Sequence, residues 1–133
     1  MPTIIRKTYP AILESRREIL HAFHWQVRSS VWRPPTDVYE TEDAIVVKVE
    51  VAGMRDEDFV VAFEDHVLHI EGVRPDSGGR RAYHQMEILS GKFEIEIGIH
   101  VPVDVESAIA EYKDGLLTII LPKSQARHIQ VDE

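Results

Sequence analysis

Up to residue 34 the apolar positions recur at helical spacing, and beyond Pro35 they recur at every second residue. Ile12, Ile19, Leu20, Phe23 and Val27 stand three, four and seven apart, which gathers them on one face of a predicted amphipathic helix. Ser15-Arg16-Arg17-Glu18 has the spacing of a capping box, in which the serine caps backbone N–H groups and the glutamate reaches back. Tyr9-Pro10 offers a second start, because proline suits a first helical position. Such a helix either packs on its own domain or forms a detachable arm that binds other chains. The large aromatics Phe23, Trp25 and Trp32, and the break at Pro34-Pro35, favour the arm.

After Pro35 the pattern is that of strands. Residues 45–51 alternate and end at Ala52-Gly53; residues 59–63 and 67–70 flank a turn at Asp65-His66. Residues 93–101 place five apolar side chains on one face, and residues 116–121 close the series before Pro122. Short β-branched runs separated by turn signals predict an all-β, immunoglobulin-like antiparallel sandwich. Asp114-Gly115 is a two-residue hairpin signal, since both positions of such a turn need positive φ. The turn-rich stretch 74–81 predicts a long loop between a strand ending at Ile70 and one beginning near Met86. Residues 116–121 are apolar on both faces, so this strand is buried on both sides or presents one face to a partner.

Composition narrows the function. With 133 residues the chain has room for one domain and short extensions. The absence of cysteine excludes thiol catalysis, thiolate zinc sites and disulfides. Net charge is −8, unevenly spread: residues 1–34 carry six basic and two acidic side chains, residues 35–133 nine basic and 21 acidic. So acidic a body repels phosphate backbones, and no nucleic-acid partner is expected. No uncharged stretch approaches the ~20 residues of a membrane span, the first residues lack a signal-peptide layout, and no membrane-surface role is expected. A cytoplasmic location follows as the expectation. There is no Gly-x-Ser-x-Gly, phosphate-binding glycine loop or His-Glu-x-x-His. His21 and His24 could share a metal by spacing, but no third ligand accompanies them, and His66 and His69 point to opposite faces of a strand. No enzyme activity, metal or cofactor is expected.

A binding surface is the remaining reading, and the C-terminal region carries a clue. Ile129-Gln130-Val131 puts two β-branched side chains on one side of an extended segment, beyond the polar run 123–128. Six such residues extend at most ~20 Å, enough to reach a neighbouring subunit and add a strand to its sheet edge. The same residues could equally form a last strand of their own domain.

These residues carry a resemblance. Ala110-Glu111-Tyr112-Lys113-Asp114-Gly115-Leu116-Leu117 resembles the signature of the small heat-shock proteins, the α-crystallin-type chaperones, and is followed by an apolar strand ending in Leu121-Pro122-Lys123. Ile129-Gln130-Val131 is similar to that family's Ile-x-Ile/Val anchor. Pro35-Thr36-Asp37-Val38-Tyr39-Glu40 resembles its opening strand, and Val49-Glu50-Val51-Ala52-Gly53-Met54 its apolar strand and glycine turn. The resemblance implies an N-terminal arm (1–34), an α-crystallin-type sandwich (35–122) and a C-terminal extension (123–133). It implies an ATP-independent holdase that binds unfolding client proteins and assembles with itself from dimers, with no cofactor. By the same resemblance Ile129 and Val131 anchor the oligomer in a groove at Val61, Phe63, Ile109 and Leu117. Arg80, Arg81, Ala82, Tyr83 and His84 form the dimer loop, and the arm residues Ile12, Ile19, Leu20, Phe23 and Val27 bind clients. Ile88 and Ile95 stand where the family usually carries arginines, so a dimer of this chain should depend little on salt. Two other classes remain: a monomeric sandwich-type co-chaperone or adaptor docking on one partner, and a sandwich hydrolase or sugar-binding module, which lacks the site chemistry.

Overall fold

The computed structural model describes residues 31–125 apart from Ser77 and Arg80. The five arm residues, Arg80, Ile129 and Val131 lie outside the described residues. Seven strands run in chain order: β1 (Thr36–Glu40), β2 (Ala44–Glu50), β3 (Phe59–Glu64), β4 (Val67–Arg74), β5 (Gly91–Gly98), β6 (Ile109–Lys113) and β7 (Leu116–Pro122). They form a four-stranded sheet, ordered β1-β2-β7-β6, and a three-stranded sheet, ordered β3-β4-β5, and every pairing between strands is antiparallel. The all-β antiparallel sandwich expected from the two-residue period is what forms.

Alternation explains how the layers meet. Ile45, Val47 and Val49 of β2 and Leu117, Ile119 and Leu121 of β7 point to one side of the larger sheet. They meet Val61, Leu68, Ile70, Phe93, Ile95 and Ile97 from the smaller one. Phe93 is at the centre, fully buried, with ring contacts at 5.6 Å to Trp32 and 6.2 Å to Phe59. Its neighbour across the ladder is Gly72, where a Cβ would sit 2.6 Å from the Phe93 ring and 2.9 Å from the Asp58 carbonyl. Only glycine leaves room for that ring.

Turn chemistry sets the registers. Asp114 and Gly115 take φ of 53° and 80°, so β6 and β7 are joined by the mirror-image turn that the strand twist favours. Asp65 and His66, at φ 51° and 64°, make the same kind of turn between β3 and β4 without any glycine. His66 is held there partly by its carbonyl, which accepts from Ile99 N–H at 2.7 Å.

Three boundaries differ from the sequence expectation. β4 continues past Ile70 to Arg74, because Glu71, Gly72 and Val73 pair with Glu94, Phe93 and Lys92. β5 begins at Gly91 and not near Met86, so the connection is shifted to residues 75–90 with nearly the expected length. It ends at Gly98, so only three of the five expected apolar residues lie in the strand, although Ile99 is also buried. The sandwich also takes in Trp32 and Pro34, which the sequence division assigns to the arm. Trp32 bridges in parallel to Phe93, its indole N–H donates to Gly91 O at 3.1 Å, and Pro34 is fully buried.

Candidate functional site

Surfaces left open by the two sheets are the candidates for binding. At one side of the sandwich β3 lies next to β6: the Phe59 and Tyr112 rings are 4.9 Å apart. The Tyr112 hydroxyl donates to Val51 O at 2.8 Å and accepts from Met54 N–H at 3.3 Å, which closes this end. The residues expected to receive the anchor distribute unevenly. Val61 and Leu117 pair with Ile70 and Val49 on the inward side and are core residues, 4% and 2% exposed. Phe63 also faces inward and is half-buried against the core. Ile109 pairs with Ile120 on the outer face and is exposed. The four do not line one groove, because the pleat sends neighbouring positions to opposite faces.

The outer face of the four-stranded sheet carries a surface that sequence reasoning only half found. Register places Tyr39, Val46, Ile120 and Ile109 side by side across all four strands. Tyr39, Ile120 and Ile109 are 43%, 38% and 37% exposed, while Val46 between them is buried. The next row, Asp37, Lys48, Thr118 and Glu111, is polar, and Lys48 Nζ lies 6.0 Å from the centre of the Tyr39 ring. An apolar row bordered by charges can seat an extended or helical partner. Of the two alternatives for residues 116–121, burial on both sides does not hold, since Leu116 and Ile120 are each 38% exposed. The rest of the row was signalled by Val46, the extra apolar residue inside the alternation of β2.

The connection 75–90 makes the third surface. Arg81, Ala82, Tyr83 and His84 are all exposed and take no strand conformation in this single chain. Exposure continues through Met86 (61%), Ile88 (79%) and Leu89 (53%). Arg74 ties the end of the loop to the body: its guanidinium donates twice to Leu89 O and lies 4.5 Å over the Trp32 ring. Between loop and body is an open cleft of about 510 Å³ lined by Gly53, Arg74, Tyr83, Met86 and Leu89 among others. The two positions where the family usually carries arginine part company: Ile95 is core, 1% exposed, and Ile88 is 79% exposed. Deleting residues 76–84 is expected to convert dimers to folded monomers, read as a halved native mass with unchanged circular dichroism. Dimers that survive the deletion would place the pairing elsewhere.

Among the described residues no group of three or more His, Asp or Glu is placed to hold a metal, and no helix is long and apolar enough to cross a membrane. His69 Nδ1 lies 3.5 Å from Glu96 Oε1 on the outer face of the smaller sheet, a pair typical of a solvated strand face.

Comparison with known proteins adds to this geometry. Small heat shock protein C4 of Rickettsia felis is 30% identical over 108 residues, covering 77% of this chain and 66% of that protein. Heat shock protein 16 of Schizosaccharomyces pombe is 32% identical over 94 residues, covering 68% and 66%. The chain thus spans slightly less than two-thirds of the length of these relatives. Among solved structures, heat shock protein 16.0 from Schizosaccharomyces pombe superposes with a TM-score of 0.64 at 28% identity, over 77% of this chain and 99% of that one. A small heat-shock protein from Xylella fastidiosa shares the fold with a TM-score of 0.65, at 24% identity over 77% and 98%. Residues 37–132 match the Hsp20/alpha crystallin family, and with the sandwich, the Asp114-Gly115 hairpin and the two-faced final strand they show that this chain belongs to it.

Proposed function

We propose that this chain is an ATP-independent holdase of the cytoplasm, a homo-oligomer built from dimers that binds partly unfolded proteins and keeps them from aggregating. The observation that carries this reading is apolar surface left over once the sandwich is complete. Ile109, Ile120 and Tyr39 on one face, and Met86, Ile88 and Leu89 in the loop, remain in solvent although the core is filled. An unfolding client exposes apolar area, and covering it gains about 25 cal/mol per Å². The excess of acidic side chains beyond residue 34 keeps such a complex dispersed. Release follows from equilibrium dissociation or transfer to another chaperone. The arm adds the stripe Ile12, Ile19, Leu20, Phe23 and Val27, and the tail residues Ile129 and Val131 hold subunits together.

Aggregation of a heat-unfolded enzyme, followed by light scattering, tests the proposal. The full chain is expected to suppress scattering at a near-equimolar ratio, equally with and without ATP. A chain cut before Val31, which keeps Trp32 and the whole sandwich, is expected to keep the protection that the exposed sheet and loop residues supply and to lose the share that the arm adds. Full protection by the shortened chain would move capture to the sheet and loop surfaces, and no protection by either would overturn the holdase reading.

A further inference from the structure

Two body residues close the base of the connection 75–90. β4 ends at Arg74, which pairs in register with Gly91, where β5 begins. From there the Arg74 guanidinium crosses the mouth of the connection. Nε donates to Leu89 O at 2.8 Å, one terminal nitrogen donates to the same carbonyl, and the other lies 3.5 Å from Ala52 O. Its Cζ is 4.5 Å from the centre of the Trp32 ring. Trp32 in turn donates its indole N–H to Gly91 O at 3.1 Å, two residues beyond Leu89. Within the connection, Gly78 N–H donates to Asp76 and Gln85 to Glu87, bonds that do not reach the body. Tyr83, Met86, Ile88 and Leu89 are all exposed. A segment with so little buried area opens locally at low cost, so the ties at its exit decide whether it is held.

Trp32 is itself lightly attached. It bridges β5 through a single residue, its N–H donating to Lys92 O and its carbonyl accepting from Glu94 N–H, both at 3.3 Å. Its half-buried ring meets Phe93 edge-on at 5.6 Å and carries Arg74 above it. Stacking on an indole face fixes a long side chain that otherwise turns freely in water, and so aims the guanidinium fork at Leu89 O. Each hold therefore needs the other: without the ring the fork is not aimed, and without the fork the ring loses its cover. Residues 1–30 join the sandwich at Val31, the residue next to Trp32. We propose that Trp32 and Arg74 form one clamp through which residues 1–30 and the connection 75–90 act on each other. Drawing Trp32 off β5 releases the exit of the connection, and rearranging the connection loosens Trp32, because such coupling is reciprocal. The clamp lies within one chain and stands whether or not the chain is a holdase. Where the connection pairs subunits and the arm binds clients, the clamp makes the two events one equilibrium; only that consequence rests on the function proposed above.

The full-length chain has no cysteine and two tryptophans, Trp25 and Trp32, so the two ends of the clamp can be read separately. A nitroxide on Ile88→Cys, a position 79% exposed, reports the exit of the connection. Acrylamide quenching in a Trp25→Phe chain reports Trp32. Trp32→Phe keeps a ring against Phe93 but loses the indole donor and the larger stacking face. It is expected to shorten the rotational correlation time of the nitroxide about threefold, within the ns range of loop motion. Arg74→Gln is expected to do the same, and the two together no more than either alone, since both break one clamp. From the other end, Arg74→Gln and Gly91→Ala are each expected to raise Trp32 quenching about twofold, as local opening does. Gly91→Ala acts from the side of the connection: φ is 89° and the new Cβ would meet nothing within 4 Å beyond its chain neighbours, so only the backbone at the exit is strained. Arg74→Lys, which keeps the charge and loses the fork, is expected to show both effects in part, and decides the matter if Arg74→Gln does not fold. All are read at two concentrations about tenfold apart, and the effects of the clamp are the same at both. Effects present only at the higher concentration would assign them to pairing between chains and overturn the clamp. So would a nitroxide unmoved by Trp32→Phe, effects that add in full in the double variant, or Trp32 quenching unchanged by Gly91→Ala.

Discussion

Replacing Ile129 and Val131 together by alanine is expected to reduce the assembly to dimers while the sandwich stays folded. Each side chain, if buried in a neighbour, contributes about 1.5–3 kcal/mol per contact, and the contact is repeated in every subunit. Loss of both therefore weakens each link by a factor of a hundred or more, by the rule of about tenfold per 1.4 kcal/mol. Native mass and circular dichroism of the parent and the double variant decide the matter. An unchanged elution volume would return the segment to the role of a last strand in its own domain. A parent chain that already runs as a monomer would favour the adaptor reading over the holdase.

Phe93→Ala is expected to cost about 3–5 kcal/mol, the range for removing a buried aromatic ring from a core. The ring is fully buried, meets Trp32 and Phe59, and fills the space over Gly72 that no side chain can share. For a domain near 100 residues that loss lowers the melting temperature by roughly 12 °C or more, at 4–8 °C per kcal/mol. The effect should spread to Trp32, whose indole would lose its partner and with it the fixed root of the arm. A melting temperature within about 3 °C of the parent would mean that the core collapses around the deletion without penalty.

The strands were legible in the sequence because their alternation is local. β2, β5 and β7 carry their inward residues at every second position, and the hairpin at Asp114-Gly115 is announced by two adjacent residues. β4 runs on past Ile70 because Glu71, Gly72 and Val73 pair with Glu94, Phe93 and Lys92, a pairing that nothing within those three residues announces. Trp32 was assigned to the arm for a similar reason. Its partners, Gly91 O, Phe93 and Arg74, are distant in sequence, and Pro34-Pro35 resembles a boundary. The four groove residues that the resemblance implies are parted by the pleat, with Ile109 on the outer face and Val61, Phe63 and Leu117 facing inward. The outer row depends on register between four strands, which no single stretch of sequence contains. Val46 was its one local sign.

The strand order β1-β2-β7-β6 has a consequence for how the chain comes to be folded. β2 pairs with β1 along one edge at once, but the partner of its other edge is β7, where Ala44 pairs with Pro122. Strands β3, β4 and β5 can close on their neighbours as soon as they are made, whereas β2 must wait while roughly 70 further residues are synthesised. At about 5–20 residues per second that wait is on the order of several seconds. During it a strand of sequence Ala44-Ile45-Val46-Val47-Lys48-Val49-Glu50 has one edge unsatisfied, and closing so long a loop is the slow kind of step in folding. A nascent copy thus passes through a state with an open apolar edge, and under the proposed holdase function mature copies of the same chain are among the proteins that would cover it.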